Sequence, residues 1–152
     1  MKLIFLFGGK KGSLESEALG ADYLERISHS INAEAMLVPS KAKGEDVKNE
    51  ESENTLAQIK ESDAVILFDE RGKQVTSPEY SEILTRLIES GKKRVVIIVG
   101  GAYGVSDTVR ERADIIIALS KMVFPHEIAR IMTLEQTYRA LSIRAGMKYH
   151  HV

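Results

Sequence analysis

Apolar runs and apolar stripes alternate along this chain in a regular order. Residues 2–7, 33–38, 63–68, 95–99 and 115–119 are short, mainly apolar runs, each stopped by glycine, proline or a polar cluster. Runs of that length with little polar alternation fit strands buried on both faces. Between them the apolar period lengthens to three and four residues. Ser13 caps a predicted helix reaching about His29, with Leu14, Ala18, Ala21, Leu24 and Ile27 on one face. Ser77 and Pro78 open another, which Gly91 stops, with Tyr80, Ile83, Leu84, Leu87 and Ile88 as its buried stripe. Ser106 and Asp107 open a short helix through about Ala113. The last helix runs from near Pro125 to about Arg144, with Ile128, Ile131, Leu134, Tyr138 and Leu141 along one side and Gly146 behind it.

Residues 40–53 interrupt this rhythm. They are crowded with Lys, Glu, Asp and Asn, and only Ala42 and Val47 are apolar, so the stretch is expected at the surface as a loop. It passes into a helix that becomes convincing only over residues 55–60. A lid that contacts RNA is the functional alternative to a variable surface loop. The strand and helix alternation as a whole predicts an α/β domain, a mostly parallel sheet with helices on both faces.

In such a sheet, ligands bind at the carboxyl ends of the strands, where backbone groups lack ladder partners. Two strand-end loops stand out. The run 95–99 breaks into Gly100, Gly101, Ala102, Tyr103 and Gly104, and the run 115–119 into Ser120, Lys121, Met122, Val123, Phe124, Pro125 and His126. The first links a strand to a helix start, which suits a polar or anionic group. It is not a Walker loop, and neither is the turn of Gly8, Gly9, Lys10, Lys11 and Gly12. Asp69 and Glu70, beyond the third run, are either acids serving a ligand or turn residues paired with Arg71 and Lys73.

Composition narrows the class further. The 152 residues fit one domain with a core that needs no staple, and the absence of cysteine rules out disulfides and thiolate metal sites. No metal site and no membrane span are expected. The first apolar run is too short to cross a bilayer and lacks a cleavage pattern, so a soluble, unprocessed, cytoplasmic protein is expected. The net charge of -1 argues against a general nucleic-acid coat protein, yet residues 129–152 carry Arg130, Arg139, Arg144 and Lys148 against Glu135 alone. That asymmetry is either a basic footprint for an anionic partner or a solvated helix end. Glu135 and Arg139 stand one helical turn apart and are expected to pair.

The motifs in combination are more specific than any of them singly. Gly100-Gly101-Ala102-Tyr103-Gly104-Val105-Ser106, then Leu119-Ser120-Lys121-Met122-Val123-Phe124-Pro125-His126 with Arg130, then Tyr138-Arg139-Ala140 with Ile143, then Tyr149-His150, resemble the bacterial ribosomal RNA large subunit methyltransferase H family. Met1-Lys2-Leu3 and Leu67-Phe68-Asp69 followed by Gly72-Lys73 extend the resemblance over nearly the whole chain.

The resemblance implies a SPOUT-type α/β domain with a C-terminal trefoil knot, working as a homodimer with S-adenosylmethionine as methyl donor. It implies methylation of ring nitrogen 3 of a pseudouridine in the intersubunit-bridge stem-loop of 23S ribosomal RNA, in the large subunit of the assembled 70S ribosome. Carried over residue by residue, it places the donor against Phe68, Gly100, Gly101, Leu119, Ser120, Lys121, Met122, Val123, Phe124 and Pro125. Tyr149 and His150, with Arg139, are expected on the substrate side. Arg144 and Lys148 are expected on RNA, and His126 is the second choice of base. One subunit's tail would complete the other's site. Glycines at 100 and 101 would let the backbone approach the donor, so a valine at Gly101 is expected to block binding and spare the fold. A methyltransferase acting on transfer RNA or another ribosomal base, or a nucleotide-binding module without catalysis, are the alternatives.

Overall fold

A computed structural model describes residues 1–151. Val152, the end of the predicted substrate tail, lies outside the described residues. The elements are β1 Lys2–Gly8, α1 Leu14–Ser28, β2 Asn32–Val38, α2 Asp46–Ala57, β3 Ala64–Gln74, α3 Ser77–Glu89, β4 Arg94–Val99, α4 Asp107–Arg112, β5 Ile115–Ala118 and α5 His126–Arg144. The strands form one sheet in the order β2-β1-β4-β3-β5, and every pair is parallel.

The unalternating apolar runs have the predicted consequence: both faces of the central strands are buried. Leu3, Phe5, Phe7, Ile66, Phe68, Val95, Ile97 and Val99 point to one core, shared with Ile27 of α1, Tyr80 and Leu84 of α3, and Leu134 and Leu141 of α5. The intervening Ile4, Leu6, Val65, Leu67, Val96 and Ile98 point to the other, closed by Val105 before α4 and Val109 within it and by Leu56 and Ile59 at the end of α2. The domain is therefore a three-layer α/β sandwich. No helix among the described residues is long and apolar enough to cross a membrane.

Five expectations change. The buried face of α1 is set by Tyr23, Leu24 and Ile27, whereas Leu14 is 83% exposed and Ala18 and Ala21 face solvent. The cap of α3 is Thr76, one residue before the predicted Ser77. Thr76 Oγ1 accepts from Glu79 N at 3.2 Å, and Thr76 N donates to Glu79 Oε2 at 2.7 Å, a reciprocal capping box. Thr76→Ala should lower stability by about 1 kcal/mol, read as a melting temperature about 3 °C lower; an unchanged melting curve would contradict that role.

The third change concerns β3. It continues past Phe68 to Gln74, and residues 69–72 are looped out because Phe68 and Lys73 both pair with Ile117. A Cβ on Gly72 would stand 2.6 Å from the Ile117 backbone, so the bulge depends on a close approach that only glycine permits. The fourth is the largest. The stretch expected as an exposed loop contains α2, whose Glu51, Ser52 and Thr55 are buried. On α5, likewise, the buried side includes Arg130, Thr133 and Thr137, while Ile128 is 44% exposed.

Candidate functional site

The carboxyl ends of β3, β4 and β5 open into a cleft of about 660 Å³. Phe68, Val99, Leu119, Met122, Val123 and Phe124 supply its apolar lining, and Lys48, Asp69, Glu70, Arg71, Asp107 and Arg110 its charged lining. Phe68 is fixed from behind by Tyr80, edge to face at 5.5 Å, and the Tyr80 hydroxyl shares a 2.9 Å hydrogen bond with Thr137 on α5. Residues 119–125 form no regular structure, and Met122 and Val123 are 73% and 76% exposed. Apolar side chains presented in this way beside a concave surface, with a few polar groups opposite, are what a small-molecule site requires.

The glycine loop forms the β4 side of this cleft. Gly104 N donates to Gly101 O at 3.0 Å and Gly104 adopts φ +77, so residues 101–104 make a closed turn with Tyr103, 59% exposed, near its tip. The reason for the first two glycines differs from the one expected. A Cβ on Gly101 would lie 2.5 Å from Glu51 Oε1 and 3.1 Å from Gly8 O, and one on Gly100 would lie 3.0 Å from Val105. The chain's own packing crowds a side chain here, so a valine at 101 is expected to strain the fold as well as the turn.

Charge in the cleft is partly cancelled. Asp69 Oδ2 bonds Arg110 Nε at 3.0 Å, Arg110 Nη1 reaches Asp107 Oδ1 at 3.0 Å, and Asp69 Oδ1 accepts from Arg71 N at 2.9 Å. Asp69 is thus a paired acid, although its ionic partner is Arg110 and not the neighbouring Arg71 or Lys73. Lys48, Arg71 and Glu70 have no ion-pair partner among the described residues. His126, at the first position of α5, lines the same cleft, and burial, then the Arg130 cation, holds its imidazole below the ordinary range despite Glu127. Its neutral form therefore predominates at neutral pH. Among the described residues no cluster of three acids, histidines or cysteines is placed to hold a metal ion.

Of the residues predicted around a donor, Phe68, Gly100, Gly101, Leu119, Ser120, Met122, Val123, Phe124 and Pro125 all line this cleft, and Lys121 does not. The predicted substrate residues gather elsewhere, against α5. Tyr149 OH donates to Glu135 Oε1 at 3.0 Å, Arg139 Nε donates to the same oxygen at 3.0 Å, and Arg139 Nη1 meets His150 Nδ1 at 3.1 Å. The Tyr149 ring packs edge-on to Tyr138 at 4.7 Å and under the Arg139 guanidinium at 4.8 Å. Burial, then hydrogen bonds with Tyr23 and Glu135, push the Tyr149 phenol above its ordinary range, so it is a hydrogen-bond donor and no base.

The basic C-terminal footprint dissolves in three dimensions. Arg130 is buried, Arg139 is paired with Glu135 and Arg144 with Glu89 at 3.3 Å, which leaves Lys148 as the exposed cation without an ion pair in that set. The sequence pattern does not reach Lys48, Glu51, Asp107 or Arg110 as parts of this region. Arg110 and Asp107 sit on a short helix read only for its cap, and Lys48 and Glu51 sit in a segment with no apolar period to reveal a helix.

A family profile described as "Predicted SPOUT methyltransferase" matches residues 1–150 of this geometry. The chain belongs to the SPOUT methyltransferase family. Within SPOUT methyltransferases, its relatives share one name. A protein from Christiangramia forsetii named ribosomal RNA large subunit methyltransferase H is 39% identical over 148 residues, covering 94% of both chains. One of the same name from Porphyromonas gingivalis is 36% identical over 156 residues, covering 99% of both. A third, from Bdellovibrio bacteriovorus, is 47% identical over 105 residues, covering 69% of this chain and 67% of its own. Two solved structures share the SPOUT fold at low identity. A probable methylase family protein from Haemophilus influenzae superposes with a TM-score of 0.55 at 11% identity, over 99% of this chain and 70% of that one. A putative methyltransferase from Legionella pneumophila, solved with bound cofactor SAM, gives 0.51 at 14% identity, over 92% of this chain and 66% of its own.

Proposed function

We propose that this SPOUT methyltransferase binds S-adenosylmethionine in the cleft and methylates 23S ribosomal RNA on the assembled ribosome, at ring nitrogen 3 of a pseudouridine in the intersubunit-bridge stem-loop. The observation that carries the reading is the convergence of Phe68, the Gly100 and Gly101 turn and residues 119–125 on one cleft. The donor set suits the ligand. Leu119, Met122, Val123 and Phe124 offer an apolar slot to an adenine ring, and peptide groups of the irregular loop are available to hydrogen-bond its edges. Glu70, without an ion pair among the described residues, offers a carboxylate to the sulfonium. When bound, the donor supplies an electrophilic methyl carbon. The protein's share is to hold the nucleophile in line with it and to take up the proton of the ring nitrogen.

His126 fits the second task. Its neutral imidazole lines the cleft, and a depressed pKa keeps a ring nitrogen free to accept a proton at lower pH than an ordinary histidine would. On this reading kcat/KM stays on its plateau as pH falls through about 6.5, where an unperturbed imidazole base would be half lost. His126→Ala should reduce transfer about a hundredfold; a decline centred at the unperturbed value, or a variant as active as wild type, would remove His126 from the role.

The unit of function is a homodimer, supported by two features. Ser13 N and Ser16 Oγ both bond Glu127 Oε1, which brings the first turns of α1 and α5 together with Leu14 and Ile128 exposed on them. None of Arg139, Arg144, Lys148, Tyr149 or His150 lines the cleft of its own subunit, so a second copy is needed to bring a tail to a donor. The reading includes a trefoil knot in the C-terminal half and action in the cytoplasm. Calorimetric titration with S-adenosylmethionine and its demethylated product tests the donor assignment, with one site per chain expected. Absence of heat and of fluorescence change at millimolar ligand would refute it, and transfer to tRNA in place of ribosomes would refute the substrate.

A further inference from the structure

The strongest unexplained feature lies behind the glycine turn. Glu51, on a helix whose other charged groups are exposed or half-buried, is only 6% exposed, and its Oε1 has no hydrogen-bond partner. What it meets is bare backbone. A Cβ on Gly101 would lie 2.5 Å from Oε1, one on Gly8 would lie 3.3 Å from it, and one on Gly9 would lie 3.8 Å from Oε2. Near the same Cβ position of Gly9, at 3.2 Å, stands Nη2 of Arg130, itself 5% exposed, donating to Gly8 O at 2.6 Å and, through Nη1, to Lys10 O at 2.9 Å. The turn after β1 thus meets both a carboxylate from α2 and a guanidinium from α5, and the carboxylate also meets the turn after β4.

A counterion role for Arg130 does not account for this placement. No nitrogen of Arg130 comes within 4.0 Å of a Glu51 oxygen, so the two groups attract across the turn without a direct ion pair. Burial raises the Glu51 carboxyl, and the Arg130 charge only partly opposes it. An acid kept at such a desolvation cost is expected to do something that an apolar residue would not. The next residue on the helix acts on the same loop. The Ser52 Oγ, also buried, accepts from Ser106 N at 2.9 Å, so α2 holds the loop of residues 100–106 near both of its ends.

We propose that Glu51 is a positioning residue for the methyl-donor cleft: by filling the space behind Gly101 it fixes where the turn of residues 101–104 stands, and so sets donor affinity without touching the donor. This rests on the donor occupying the cleft as proposed above. The contact is one of shape, made by the length of the glutamate side chain against glycines that offer no Cβ. Glutamine keeps that length, and aspartate keeps the charge but withdraws the carboxylate by one methylene. A purely electrostatic role would order the two variants the other way.

The experiment is calorimetric titration of wild type, Glu51→Gln and Glu51→Asp with S-adenosylmethionine, paired with steady-state kinetics on ribosomes and with melting curves. Glu51→Gln should bind within twofold of wild type. Glu51→Asp should bind about tenfold more weakly, with the donor KM raised equally and kcat at saturating donor within about threefold, since the turn is displaced but the reacting groups are not. A melting temperature that falls in Glu51→Asp with unchanged donor affinity would overturn the proposal, as would a Glu51→Gln variant that binds as weakly as Glu51→Asp. If wild type itself binds no donor, the methyl-donor reading of the cleft falls; if wild type binds and Glu51→Asp binds equally well, only the positioning role falls.

Discussion

Gly101→Val is expected to lose about 3 kcal/mol or more of folding stability, and any loss of ligand binding in that variant should follow from this. The Cβ alone would sit 2.5 Å from Glu51 Oε1 and 3.1 Å from Gly8 O, and valine adds two methyl groups beyond it. The Glu51 carboxylate is the end of a flexible side chain and can swing aside, but the Gly8 backbone cannot. Gly8 is the last residue of a central strand and bonds Arg130 through its carbonyl, and Glu51 is packed into the same junction. Set against the roughly 5–15 kcal/mol that separates a domain of this size from its unfolded state, such a loss shifts the denaturation midpoint far. Urea denaturation measures it. A midpoint equal to wild type, with donor binding abolished, would mean that Gly101 faces the ligand and not Gly8 and Glu51.

The second large effect concerns the tail. Deleting residues 149–152 should reduce methyl transfer to ribosomes by at least a hundredfold while leaving donor affinity within twofold, because no described residue of the tail lines the cleft of its own chain. The deletion removes the Tyr149 ring from Tyr138 and its hydroxyl from Glu135, but Arg139 keeps its pairing with Glu135, so the α5 surface retains its charge balance. A modest fall in melting temperature is therefore expected, too small to explain the loss of activity. Single-turnover transfer from labelled donor, with donor affinity measured on the same preparation, separates the two. Transfer at the wild-type rate would mean that Tyr149 and His150 only close the domain and that substrate is engaged elsewhere.

Much of the fold was legible because most of its strands are buried on both faces. Residues such as Val65, Val96, Ile97 and Ile98 have no polar alternation to confuse the period, and the glycine and proline breaks between runs mark the turns. The cleft was largely legible for the same reason, since most of its walls are the loops that follow three of those runs. The segment around α2 was not. A helix buried through Glu51, Ser52 and Thr55 leaves no hydrophobic stripe, and its partners are backbone atoms of turns far away in sequence. Charge read along the tail misled for a related reason: Arg144 is matched by Glu89 on another helix, and Arg130 is buried against the carbonyls of Gly8 and Lys10. Pairings of that kind exist only in the folded chain. The face of α1 shows the limit of counting apolar positions, because Leu14, Ala18 and Ala21 repeat at helical spacing and yet face solvent.

Methylation of one pseudouridine of the large-subunit RNA, the reaction proposed for this SPOUT methyltransferase, leaves a mark that can be read in cells. Mass spectrometry of 23S RNA from cells lacking the gene tests it most directly. A single pseudouridine in the intersubunit-bridge stem-loop is expected to lose its methyl group and to regain it when the wild-type gene is restored, but not when the gene truncated after Lys148 is. A fully methylated stem-loop in the deletion strain, or loss of a methyl group from a different RNA, would contradict it.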